Sequence, residues 1–137
     1  MRGAPMDAFD ADTFSCVLEI NSMVTRLVPT ALAHRIVIHG NTIYLAGTIA
    51  DDRSETAGGQ ARQCLEKIDA LLRTVGSDAS NLLQVLIYAT DMSCYDEFNE
   101  AWTTFFKGEN MPARAMVGVN ELGPGLLVEL VATAALP

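Results

Sequence analysis

From residue 55 to 75 the apolar side chains Ala57, Ala61, Cys64, Leu65, Ile68, Leu71, Leu72 and Val75 recur at steps of three and four. That spacing places them on one face of a helix, and such a stripe must be buried against another element. Gly76 follows as a stop signal. Gly58 and Gly59 weaken the first turn unless they permit a close backbone approach. Upstream the period changes to two. MVTRLV alternates as a strand, and RIVI, HGN and TIYLAG read as a β-hairpin whose Gly40-Asn41 pair can supply positive φ angles. A chain that switches from strand to helix period in this way must share one core between a sheet and its helices.

The second half repeats the switch. Residues 82–90 (LLQVLIYAT) form an almost unbroken apolar run of strand length, as in a strand covered on both faces. A second helix follows, with Ser93 as its N-cap and Asp96 near the positive end of its dipole. Tyr95, Phe98, Trp102, Phe105 and Phe106 form its apolar stripe, read as core, and Gly108 ends it. Two final strands, ARAMVGVN and LLVELVATA, are joined by ELGPG. The order β-β-β-α-β-α-β-β gives an α+β fold, a mixed sheet with two helices packed on one face. The other sheet face then needs a cover, which favours self-association.

Charge and cysteine usage exclude whole classes of function. Nine Lys and Arg against 17 Asp and Glu leave a net charge of −8 in 137 residues. No three basic residues are consecutive, so neither nucleic acid nor an anionic membrane surface is an expected partner. Cys16, Cys64 and Cys94 are odd in number and widely spaced, which points to reduced thiols and a cytoplasmic protein, with no zinc site. Residues 1–22 lack strong periodicity and carry Asp7, Asp10 and Asp12. They read as an N-terminal arm without a secretory-type apolar segment, or with a short strand at 16–20, before a single domain over 23–137.

Two charged residues interrupt strands that are otherwise apolar. Arg114 lies in Met-Pro-Ala-Arg-Ala and Glu129 in Leu-Val-Glu-Leu-Val. Charges are seldom buried without a partner. A guanidinium offers a planar fork for a carboxylate, and a buried glutamate can orient or deprotonate a water. The residues alone leave open whether these two form such a site, a structural ion pair or a pair of exposed edge charges. Cys94 is either a thiol activated near a helix N-terminus or a small buried side chain.

Taken in order, Gly-Asn with Tyr-Leu-Ala-Gly, Leu-Leu-Arg-Thr-Val-Gly-Ser, Val-Leu-Ile-Tyr-Ala-Thr-Asp-Met, Phe-Asn-Glu-Ala-Trp, Pro-Ala-Arg and Val-Glu-Leu resemble the RidA (YjgF-like) reactive-intermediate deaminase superfamily over residues 23–135. The resemblance implies a chorismate-mutase-like fold, three subunits packing their sheets into a central barrel, and ligand clefts between subunits. It implies hydrolysis of enamine or imine intermediates to a 2-keto acid and ammonia, with no metal or organic cofactor. Arg114 matches the family's carboxylate-binding arginine and Glu129 its water-associated glutamate, 15 positions on. Ala46-Gly47-Thr48 replaces the family's Ser-Gly-Gln, with Ala46 and Gly47 expected to line the pocket, and Met116 stands where a cysteine is frequent. The pocket tyrosine's segment here reads Ala31-Leu32-Ala33-His34-Arg35, so His34 is the candidate replacement. These departures resemble the YoaB-like branch. The expected partner is a small carboxylate-bearing substrate. The alternatives are a non-catalytic carboxylate-binding or regulatory module and a ribonuclease or translation inhibitor, the last disfavoured by the acidic charge.

Overall fold

The computed structural model describes residues 23–137. The arm read for 1–22 and the strand considered for 16–20 lie outside the described residues. Six strands form one sheet: β1 (Val24–Pro29), β2 (His34–His39), β3 (Thr42–Leu45), β4 (Leu82–Ala89), β5 (Ala113–Gly118) and β6 (Val128–Ala135). Among the described residues the α-helices are α1 (Ala57–Arg73) and α2 (Tyr95–Phe106), so the element order there is the one the sequence indicates. The sheet order is β1-β2-β3-β6-β4-β5. Only β4 and β5 pair in parallel, which makes the sheet mixed.

This order explains why both helices share a face. β3 and β4 are each antiparallel to β6, hence parallel to one another, and α1 crosses between them over the slot β6 fills. The α2 crossover from β4 to β5 steps the same way across the sheet. Right-handed crossovers in one direction put their helices on one side. There Cys64, Leu65, Ile68 and Leu72 of α1 and Phe98, Trp102 and Phe106 of α2 pack against Ile36, Ile43, Val85, Ile87, Val128 and Leu130. Along β6 the alternation is complete: Val128, Leu130, Ala132 and Ala134 are buried, and Glu129, Val131, Thr133 and Ala135 face away, half-buried.

Local chemistry sets the element ends. The hairpin has a two-residue turn between His39 and Thr42, in which Gly40 alone takes positive φ (60°), as a type II′ turn requires. Thr56 caps α1 by accepting from Gly59 N–H at 3.2 Å. At the other end Gly76, at φ 82°, lets Ser77 N–H return to the Leu72 carbonyl at 3.0 Å. The glycine pair at the start of α1 permits close approach: Gly58 N–H donates to Glu97 Oε1 at 2.9 Å, and a Cβ there would lie 3.0 Å from Glu97 Cγ. That bond is the main reason the Glu97 carboxyl titrates below its ordinary range.

Three sequence expectations change. The cap before α2 is Asp91, which accepts from Ser93 N–H at 2.9 Å and starts a 3₁₀ turn over Met92–Cys94 ahead of the helix; Ser93 is the residue capped. Tyr95 falls outside the core at 47% exposure, at the first residue of a helix whose buried face begins only at Phe98. β4 is covered on one face only: Val85, Ile87 and Ala89 are buried, whereas Leu83 is half exposed and Leu86 and Tyr88 partly so. The uncovered face also carries Val37, Tyr44, Val117 and Val131, an apolar surface without a lid in the single chain. No helix among the described residues is long and apolar enough to cross a membrane.

Candidate active site

Paired strand residues project to the same side of a sheet, so the register assigns each candidate side chain to a face. Val85 pairs with Arg114 in β5 and with Ala132 in β6, and Val85 is a core residue. Arg114 therefore lies on the helix side. Its Nη2–H donates to Asn99 Oδ1 of α2 at 2.6 Å, and its guanidinium carbon sits 4.9 Å from the Trp102 ring centroid and 5.5 Å from that of Phe98. Aromatic faces attract the cation and fix its plane. One of five N–H donors is engaged, leaving the fork able to take a carboxylate at two points. Met116, paired with Ile87, lies two residues along the same face and packs against the core.

Glu129 faces the other way. It pairs with Tyr88, whose β5 neighbour is Val117, on the uncovered side of the sheet. Its carboxylate rests on Gly47: a Cβ at that position would lie 3.1 Å from Glu129 Cδ and closer still to Oε1. Gly47 is held there by Thr48, which exchanges backbone hydrogen bonds with Leu130 at 2.8 and 3.0 Å. The absence of a side chain at 47 thus leaves room for the neighbouring acid and serves no turn. Ala46 precedes it, its N–H bonded to the Arg35 carbonyl at 3.0 Å.

Arg114 and Glu129 thus occupy opposite faces of one sheet, and the three side-chain ion pairs among the described residues include neither. The intrachain ion pair left open by the sequence is not formed. The chain brings together Arg114 with Met116, and separately Ala46 and Gly47 with Glu129. His34 opens β2 opposite Pro29, half-buried, and the described geometry joins it to neither group. Sequence reading missed Asn99. Its signal was an amide one residue after Phe98 and three before Trp102, on the helical stripe.

Neither described thiol is an activated nucleophile. Burial pushes the Cys64 thiol up to about 12, with the Glu129 charge adding to the rise, and its Sγ donates to the Thr48 carbonyl at 3.4 Å. Burial, then Asp91, also raise the Cys94 thiol, so the activated-thiol reading fails. No cluster of metal-ligating side chains occurs among the described residues.

A family profile described as "Endoribonuclease L-PSP" matches residues 23–136. A RutC family protein of Haemophilus ducreyi is 33% identical over 114 residues, 83% of this chain and 97% of that protein. The human 2-iminobutanoate/2-iminopropanoate deaminase is 30% identical over 128 residues, covering 84% of this chain and 93% of its own. The crystal structure of NMB1025, a member of the YjgF protein family from Neisseria meningitidis, superposes with a TM-score of 0.80 at 30% identity, over 85% of this chain and 98% of that one. The chain belongs to the RidA/YjgF superfamily.

Proposed function

We propose that the chain hydrolyses small 2-iminoacids to 2-keto acids and ammonia in clefts between the subunits of a cytoplasmic homotrimer. The observation that carries this reading is the separation of Arg114 from Glu129 on opposite sheet faces. A carboxylate clamp and a water-holding acid so arranged in one chain can meet across an interface, and the uncovered apolar face supplies a surface for one. Cyclic closure makes every such interface alike.

The chemistry asks for positioning above all. Arg114 takes the substrate carboxylate, fixed in plane by Asn99 and the two rings. Glu129 of the neighbouring subunit orients a water on the imine carbon. The water oxygen bonds to that carbon and the C=N double bond becomes single, its electron pair moving to nitrogen. Glu129 relays the water's protons to nitrogen, the C–N bond breaks, and ammonia leaves as the carbonyl forms. Water supplies both the oxygen of the keto acid and the protons of ammonia, so hydrolysis needs no electron sink. The net charge of −8 argues against a nucleic-acid substrate.

The decisive experiment is ammonia release from freshly generated 2-iminobutanoate by Arg114→Ala, by Glu129→Gln and by the two co-assembled. Each variant alone should be inactive. Random co-assembly should restore activity at about a quarter of the interfaces, those pairing an intact arginine with an intact glutamate. A folded wild type that accelerates nothing would reject the deaminase, and carboxylate binding without turnover would favour the binding module. Active single variants would reject the site.

A further inference from the structure

Beside Gly47 lies a cavity of about 330 Å³, bordered by Thr30, Arg35, Gly47, Thr48, Asp51 and Lys67. Gly47 is also the residue on which the Glu129 carboxylate rests, so it borders both the cavity and the proposed reacting centre. Its electrostatics run against those of the protein. Two cations face one acid here, whereas the chain as a whole carries −8.

The two cations are not equivalent. Lys67 Nζ is committed, donating to Asp51 Oδ1 at 2.9 Å and to the Ile49 carbonyl at 2.7 Å. Arg35 donates no side-chain hydrogen bond among the described residues and joins none of their ion pairs. It nonetheless reaches the cluster, because its charge helps hold the Asp51 carboxyl below the ordinary range, after the larger effects of Lys67. Asp51 is already neutralised by Lys67, so the positive charge of Arg35 is left over. Its planar fork is available to an incoming oxyanion, whereas the Thr30 hydroxyl is already spent on the Ala33 carbonyl at 2.9 Å.

From this placement we infer that the cavity is a second anion subsite, in which Arg35 reads a distal carboxylate. The preferred substrates are then 2-iminoacids with an acidic side chain, such as 2-iminoglutarate or 2-iminosuccinate. This rests on the deaminase reading for turnover, though not for binding. Arg114 clamps the carboxylate next to the imine, and Arg35 selects among side chains. Simple aliphatic iminoacids fill the reacting centre and leave the cavity to water. Arg35 is a specificity residue and touches no reacting atom.

The test compares 2-iminoglutarate with 2-iminobutanoate, both generated in situ by an amino-acid oxidase, for the wild type, Arg35→Ala and Arg114→Ala. The wild type should favour the diacid in kcat/KM by about ten-fold or more, the worth of one charge-assisted contact. Arg35→Ala should erase that preference and leave 2-iminobutanoate turnover within about two-fold, since Arg35 lies outside the reacting centre. Arg114→Ala should abolish both. A wild type that prefers the monoacid, or an Arg35→Ala loss shared equally by both substrates, overturns the inference and leaves the deaminase standing. If the wild type hydrolyses neither, the deaminase reading falls and calorimetric binding decides the subsite. Tighter binding of 2-oxoglutarate than of 2-oxobutanoate that disappears in Arg35→Ala upholds it, and equal or absent binding rejects it.

Discussion

The two faces of the sheet are finished to different degrees. On the helix side Arg114 is already braced, hydrogen-bonded to Asn99 and stacked over Trp102 and Phe98. On the other side Glu129 rests against a glycine, on the face that also carries half-buried Tyr88 and Val131 and half-exposed Val117. A cation with its plane set in advance loses little orientational freedom when a carboxylate arrives. The acid, by contrast, has its position fixed by strand register and its surroundings left to whatever covers the sheet. In the proposed site the same chain thus contributes one preorganised half and one that a neighbouring subunit would complete.

The strongest way to break this comparison is to remove the braced cation. Arg114→Ala should lower kcat/KM on any iminoacid by about a thousand-fold, because carboxylate binding and orientation are lost together. Arg114→Lys should recover only part, since an ammonium cannot reproduce the two-point grip or the stacking. Steady-state kinetics on a folded assembly checks both. On the other face, Gly47→Ala sharpens the contrast. Its methyl would occupy the space of the Glu129 carboxylate and displace it, so kcat should fall by about a hundred-fold. KM should change far less, because the arginine side is untouched. Equal effects on kcat and KM would mean that the two faces do not divide the work.

A smaller effect is expected at the brace. Asn99→Ala leaves the charge of Arg114 and removes one bond that holds it. KM should rise by about ten-fold, the scale of one hydrogen bond to a charged group. Gln60 tests whether both halves depend on one frame. This fully buried amide donates to the Gly125 and Glu55 carbonyls at 2.9 and 3.1 Å and accepts from Leu127 N–H at 2.9 Å. It ties the loop after Gly47 to the loop before Glu129. Gln60→Leu strands those groups without partners and should cost about 2 kcal/mol of stability, measured by denaturant unfolding.

How much of this the sequence disclosed depends on whether the cause was local. Periodicity shows α1, α2 and the strands because each buries a face on its own repeat, and β6 alternates from Val128 to Ala135 without an error. The strand order was not legible. The insertion of β6 between β3 and β4 depends on pairings far apart in the chain, and no residue pattern encodes it. The same holds for the site. Arg114 and Glu129 stand out as charges in apolar strands, but which face each occupies follows only from the register with β4. Reading Ser93 as the cap ignored Asp91, whose carboxylate competes for the same turn and, being charged, is the better acceptor. The sequence singles out His34 as the residue in place of a tyrosine and assigns no role to the neighbouring Arg35, which borders the cavity.

The smallest expected effect tests whether the two faces feel each other through the backbone between them. Cys64 lies fully buried on the helix side, yet the Glu129 charge adds to the rise of its thiol to about 12. The contribution is secondary to burial, and Lys67 opposes it. The unfolded thiol ionises near its ordinary value, about 8.5. Between that pH and about 12 the unfolded chain releases a proton that the folded chain keeps. The stability associated with the buried thiol is therefore fully present below the lower value and lost as pH rises toward the upper one. Glu129→Gln removes a negative neighbour, so the folded thiol should ionise at a lower pH and the alkaline loss should shrink. Ultraviolet titration of the thiolate, with Cys16→Ser and Cys94→Ser as background, would show the shift. An unchanged Cys64 titration would mean that the sheet insulates its two faces and that Glu129 acts only toward the side it faces.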